Sequence, residues 1–176
     1  KRFWREREGL LLHRKGRLVV DGQWGEWLLD VRTASQRTRL ARIVGRWIDG
    51  CAADGFDAVE LDNLDSFTRS RRLMDRRHNL AFARLLVRRA HRVELSVGQK
   101  NLAGFDGTRI GFDFAVSEQC ARYDECGRYV EHFGDQVLMV EYRDRDFRRA
   151  CGDHGATHAV VRRDLALRPS YEPTYC

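Results

Sequence analysis

Lysine is nearly absent from this chain. Only Lys1, Lys15 and Lys100 occur, so the net charge of +6 on 176 residues is an arginine excess. Such an excess has two readings: a polyanionic partner such as nucleic acid, or a solvated surface drawn from arginine-biased codons. The arginines are scattered, Asp or Glu usually sits within a few residues of them, and no nucleic-acid recognition motif accompanies them. The expectation is therefore no nucleic-acid partner. No run of about 18 apolar residues exists, which excludes a membrane-spanning helix. The opening residues, Lys1-Arg-Phe-Trp-Arg-Glu-Arg-Glu8, lack an initiator Met and an apolar signal core, so a mature or trimmed piece is expected. No CxxC, no Cys/His zinc spacing and no HExxH is present, and neither a metal nor another cofactor is expected. The GxSxG elbow of serine hydrolases is missing too.

What is present reads as one folded domain over residues 1–176. Apolar residues make up 43% and charged residues 33%, the balance of a globular chain. The five cysteines are Cys51, Cys120, Cys126, Cys151 and Cys176. Without a metal pattern they suggest one or two disulfides and an oxidising, secreted or cell-surface setting, with one thiol left over. Buried free thiols are the alternative, and the spacing leaves the pairing open.

The opening 26 residues show no clear period, and Trp24 lies in a glycine-flanked loop where it can stack on a sugar or plug a core gap. Trp27-Leu-Leu-Asp-Val-Arg32 reads as a strand. A helix follows over about 36–49, with Leu40, Ile43, Val44, Trp47 and Ile48 on one face. Further strands are expected at Ala58–Leu61, Glu94–Gly98, Phe112–Val116, Gln136–Val140 and His158–Val161. Helices are expected near 77–91, around Cys126–Phe133 and over 144–154, and the tail from Pro169 reads as irregular. Strand starts recur every 20 to 36 or so residues, which suits βα units. Strands that are apolar throughout indicate a parallel sheet covered on both faces. A doubly wound sheet would carry a glycine-rich phosphate loop, and neither GxGxxG nor GxxxxGK[ST] is present. The expectation is an α/β fold, a (β/α) TIM-like barrel with about six βα units visible.

Barrel enzymes work with the side chains at the C-terminal ends of their strands. Asp30, Asp62, Lys100, Glu118 and Glu141 occupy such ends, next to Asn63, Asn101, Gln119 and Tyr142. Acids grouped with a lysine, amides and aromatics suit glycoside cleavage. One carboxylic acid protonates the leaving oxygen, while a second carboxylate attacks the anomeric carbon or activates water. Asp62 and Glu118 close different strands and can face one another. Glu60 lies on the same side of its strand as Asp62, so with Asp65 the two could instead hold a divalent metal. A single strand-end acid often only caps a helix or pairs with an arginine; five of six strands ending in polar groups are harder to explain that way.

These stretches also carry a resemblance. Gly55-Phe-Asp-Ala-Val-Glu-Leu-Asp-Asn-Leu-Asp65, Leu95-Ser-Val-Gly-Gln-Lys-Asn101, Phe112-Asp-Phe-Ala-Val-Ser-Glu-Gln-Cys120 with Tyr123 and Glu125-Cys126, and Val140-Glu-Tyr142 resemble the endo-α-1,4-polygalactosaminidase family, glycoside hydrolase family 114. Trp24-Gly-Glu-Trp-Leu-Leu-Asp-Val-Arg32 is similar to a further element of it. Leu61 and Ser117 stand where the family usually has Pro and Asn. The resemblance implies a TIM-like barrel lacking one or two βα units at its start, and hydrolysis of α-1,4-linked galactosamine-containing polysaccharide. It implies Asp62 and Glu118 as catalytic carboxylates and Asp30, Asn63, Lys100 and Tyr142 as substrate contacts, with Glu60, Asp65, Asn101, Gln119 and Glu141 beside them. An incomplete barrel has open edges, so self-association through them is a further expectation. The competing expectation is a non-catalytic, glycan-binding barrel remnant.

Overall fold

The computed structural model describes residues 2–22 and 24–176. The chain forms two compact units. The first runs up to Val59 and resumes over Asn63–Leu95; the second comprises Glu60–Asp62 and Ser96–Cys176. No described helix is long and apolar enough to cross a membrane.

The first unit starts with a short helix α1 (Arg2–Arg5) and a hairpin of two-residue strands, β1 (His13–Arg14) and β2 (Arg17–Leu18). The strand expected over 27–32 does not form. Leu29 and Trp27 make single antiparallel bridges to Leu11 and Val20. Leu28 instead threads between two segments, accepting from the Leu12 N–H at 2.8 Å and donating to the Val19 carbonyl at 3.1 Å. The apolar run is real, but its partners are irregular local segments, so no ladder extends. Leu10, Leu12, Val19, Leu28, Val31, Leu40, Ile43 and Met74 form the core of this unit. Each such side chain contributes roughly 1.5–3 kcal/mol on burial. Trp24 is 49% exposed and does not plug that core.

Helix α2 (Ala34–Ala53) is longer than its apolar period suggested. Thr33 caps its start, its side chain accepting from the Gln36 N–H at 3.2 Å. Gly55, with φ of +83°, turns the chain out of it toward β3 (Ala58–Leu61). Helix α3 (Arg76–His91) begins at a capping box in which His78 takes the place of the usual Glu: its Nδ1 accepts from the Asp75 N–H at 2.9 Å. Leu80, Ala83, Leu86, Val87 and Ala90 are buried along it, as the period predicts.

The second unit is built on βα repeats. Strand β4 (Ser96–Lys100) pairs in parallel with β5 (Phe114–Glu118). Helices α4 (Cys120–Tyr123) and α5 (Cys126–Phe133) lead to β6 (Val137–Glu141), parallel to β5. Helix α6 (Asp144–His154) then leads to β7 (Ala159–Arg162), parallel to β6. The tail read as irregular contains β8 (Thr174–Tyr175), antiparallel to β7. Among the described residues the sheet order is β3-β4-β5-β6-β7-β8. Val97, Ala115, Met139 and Val160 are buried within it, while Leu138 stays 44% exposed. Disulfides join Cys120 to Cys126 and Cys151 to Cys176, leaving Cys51 free.

Candidate active site

Parallel register brings the strand ends to one level. Lys100 pairs with Val116, and Glu118 with Val140, and the side chains of Lys100 and Glu118, which close β4 and β5, meet. Lys100 is only 8% exposed, yet its ammonium meets three carboxylates. Nζ lies 3.3 Å from Glu60 Oε1, 3.6 Å from Asp62 Oδ1 and 3.5 Å from Glu118 Oε2. Burial alone would lower the lysine's pKa; the charges of Glu60, Asp62 and Glu118 outweigh it and hold the pKa above its usual value. Glu60 is pushed the other way. Its burial raises its pKa, and Lys100 only partly offsets that.

Glu118 has a second holder, because the Tyr142 hydroxyl donates to its Oε1. Burial first, and then that bond to Glu118, push the Tyr142 hydroxyl well above its ordinary pKa, so it stays a donor at any working pH. Asp62 is the open member, with its side chain 50% exposed. Each group thus has a distinct environment: a buried cation, a carboxylate held at both oxygens, and a carboxylate facing solvent.

The lysine stands on a buttressed turn. Asn101 and Leu102 both adopt left-handed backbone, with φ of 65°. Gln99, fully buried, donates from Nε2 to the carbonyls of Asn101, Leu102 and Phe105 at 3.0, 3.2 and 3.3 Å. Gly107 leaves room for that amide: a Cβ there would fall 2.0 Å from Gln99 Oε1. The strand expected over Glu94–Gly98 ends before Gln99, so the sequence marked Gln99 only as part of its polar stop.

The remaining expected residues are placed as follows. Gln119 follows Glu118 in a left-handed turn, φ 58°, its N–H donating to the Val140 carbonyl at 2.8 Å. Glu141 is wholly buried, with Oε1 accepting from the Ala121 N–H at 2.8 Å, so in this structure it is closed off from an incoming sugar. Asp30, Asn63 and Asp65 belong to the first unit. Asp30 is buried and forked by Arg32 (Nε to Oδ1 at 2.9 Å, Nη2 to Oδ2 at 2.8 Å). Despite burial, those bonds keep its pKa below the usual carboxylate value. Arg69 Nη1 donates to Asp65 Oδ2 at 3.2 Å while its Nε holds Asp21, a buried acid that sequence reading passed over. The Asn63 carbonyl accepts from the Ser66 N–H at 3.2 Å. A metal shared by Glu60, Asp62 and Asp65 finds no support, because Glu60 and Asp62 already converge on the Lys100 ammonium. The Cys120 and Cys126 sulfurs lie near the Glu141 carboxylate, but they are bonded to each other and offer no thiolate.

Strands that bring three carboxylates around one lysine fit an α/β, TIM-like-barrel glycoside hydrolase. The chain belongs to glycoside-hydrolase family GH114, whose family model matches residues 4–176. Among solved structures it is similar to Aspergillus fumigatus Ega3 in complex with galactosamine, at 24% identity and a TM-score of 0.76, over 93% of this chain and 70% of that one. It is also similar to the glycoside hydrolase domain of PelA from Pseudomonas aeruginosa. The E218A variant of that domain matches at 15% identity and a TM-score of 0.64, over 95% of this chain and 74% of the other. The PelA domain itself matches at 16% identity and a TM-score of 0.60, over 85% and 68%. No curated protein sequence matches the chain.

Proposed function

We propose that this GH114 enzyme hydrolyses α-1,4-linked galactosamine-containing polysaccharide, with Asp62 and Glu118 as the working carboxylates. The observation that carries the reading is charge. The chain is net positive, which disfavours a cationic amino-sugar polymer, yet Glu60, Asp62 and Glu118 share a single ammonium. The site is therefore locally negative and suits an ammonium-bearing sugar. The galactosamine bound in the Ega3 structure supports the same substrate class.

Lys100 spans the pair. Its two contacts bound the separation of Asp62 Oδ1 from Glu118 Oε2 at about 7 Å, their sum. Retaining enzymes place their carboxyl groups about 5–5.5 Å apart and inverting ones about 6.5–9.5 Å. That bound applies to the two oxygens facing the ammonium and fits either spacing; retention through a glycosyl-enzyme is the reading put to the test. One carboxyl then protonates the leaving oxygen while the other attacks, and Lys100 and Tyr142 hold both in place. Asn101 and Gln119 follow the ends of β4 and β5 and contact substrate. The disulfides suit an oxidising, secreted or cell-surface setting.

The test is release of oligosaccharides from α-1,4-galactosamine polymer, with its fully N-acetylated form as comparator. Asp62→Asn and Glu118→Gln are each expected to lower kcat by about 10³-fold or more, the scale of losing an essential acid or nucleophile. Proton NMR of the first product should show the α-anomer. Binding without turnover by the wild type, or full activity in both variants, overturns the assignment.

A further inference from the structure

Glu141 is anomalous. A fully buried carboxyl at the end of a strand has one oxygen bonded to the Ala121 N–H and the other, Oε2, with no partner among the described residues. An acid in that state costs free energy unless it stays neutral or serves a purpose. Its neighbourhood does not compensate it. Asp146 on α6 is itself buried, leaves its own Oδ2 without a partner, and opposes ionisation of Glu141; Arg149 on α6 and Arg122 on α4 favour it only weakly. The sulfurs of the Cys120–Cys126 disulfide close the remaining side.

The position of Glu141 suggests what it is for. Three consecutive residues at the end of β6 each hold one residue of the bend that follows β5. The Val140 carbonyl accepts from the Gln119 N–H at 2.8 Å, Glu141 accepts from the Ala121 N–H at 2.8 Å, and Tyr142 donates to Glu118. Gln119 is left-handed at this bend although it is not glycine, so the turn needs external support. The disulfide ties Cys120 to the first residue of α5 and pins the far side.

We infer that Glu141 is a positioning residue, whose buried carboxyl fixes the bend that aims Glu118 at the glycosidic bond. It rests on the hydrolase reading above and adds to it a residue that does not touch substrate. Burial raises the Glu141 pKa from the ordinary 4.5 to about 7. The neutral acid is therefore the resident form on the acidic side of neutrality, and ionisation above it places an unpaired charge against the bend.

Two variants separate this from a merely structural role. Glu141→Gln keeps the acceptor and the volume but cannot titrate; it should retain kcat within about 3-fold and flatten any fall in activity around pH 7. Glu141→Leu keeps the volume and loses the acceptor; kcat should fall 30-fold or more with KM changed less than 3-fold. Independently of substrate, NMR of carboxyl-labelled glutamate at one fixed pH follows Glu118, identified by its loss in Glu118→Gln. The Glu118 carboxyl signal should hold in Glu141→Gln and move in Glu141→Leu. An unmoved Glu118 signal in a folded Glu141→Leu protein overturns the inference. So does a Glu141→Gln protein that loses as much as Glu141→Leu. If the wild type cleaves no galactosamine polymer, the functional reading fails while the Glu118 signal still decides whether Glu141 positions Glu118.

Discussion

Lys100 is the residue on which the site's electrostatics turn. One ammonium, 8% exposed, faces three carboxylates at 3.3–3.6 Å. Lys100→Met leaves three carboxylates facing one another with no cation between them, so kcat should fall by about 10-fold or more. Unchanged kcat in a folded Lys100→Met protein would show that the ammonium does not organise the site. Tyr142 acts on one carboxylate alone. Tyr142→Phe removes a hydrogen bond to a charged group, typically worth about 1.5–3 kcal/mol, so kcat should fall roughly 10- to 100-fold with little change in KM. Asp62 and Glu118 were legible from sequence because both end short apolar runs. Lys100 was visible as a strand-end lysine, but its role as a hub was not, since the contact of its ammonium with Glu60, Asp62 and Glu118 depends on the strands being in register.

At the scale of elements, small features decide where these side chains stand. Gly98 lies where a Cβ would meet the Phe114 ring at 2.5 Å, and Gly107 where one would meet the Gln99 amide at 2.0 Å. Gly107→Ala must displace the amide that holds the carbonyls of residues 101, 102 and 105. The expected result is about 1–3 kcal/mol of destabilisation in a urea titration, accompanied by reduced kcat, because Lys100 begins that turn. Thr33→Ala removes the cap of α2 and should cost about 1 kcal/mol without altering the pH profile. Helix α6 was read from sequence at the same bounds, 144–154, and β3 at 58–61, because periodicity and flanking polar residues agree there. Trp27–Arg32 misled, because a strand needs a partner as well as a pattern, and only bridges were on offer. β8 was missed for the converse reason: Thr174–Tyr175 is too short to show a pattern and exists through pairing with β7.

On the scale of the whole molecule, pH and redox state should both tell in stability. The Glu141 carboxyl titrates near 4.5 unfolded and about 7 folded, so the folded state holds the extra proton between those values. Its contribution to stability is full below about pH 4.5 and is lost as pH rises through about 7; Glu141→Gln should flatten that slope in chemical denaturation curves. The Cys151–Cys176 bridge closes a separation of 25 residues and should contribute about 3 kcal/mol, seen as a lower Tm in Cys151→Ser/Cys176→Ser. Because the site is locally negative on a net positive chain, KM for a cationic polymer should rise with ionic strength.

The places of β3 to β7 and the acids Asp62, Glu118 and Glu141 at their ends were in the amino-acid sequence, since apolar runs and polar stops are local properties of the chain. The family, too, was readable from short motifs around Asp62, Lys100 and Glu118. Register and burial belonged to the tertiary structure. Neighbouring strands gather Glu60, Asp62 and Glu118 on one ammonium, and it is enclosure that separates Glu118, held and partly open, from Glu141, held and sealed. Two glutamates that look alike at two strand ends differ because solvent reaches one and not the other, and solvation is a property of the fold.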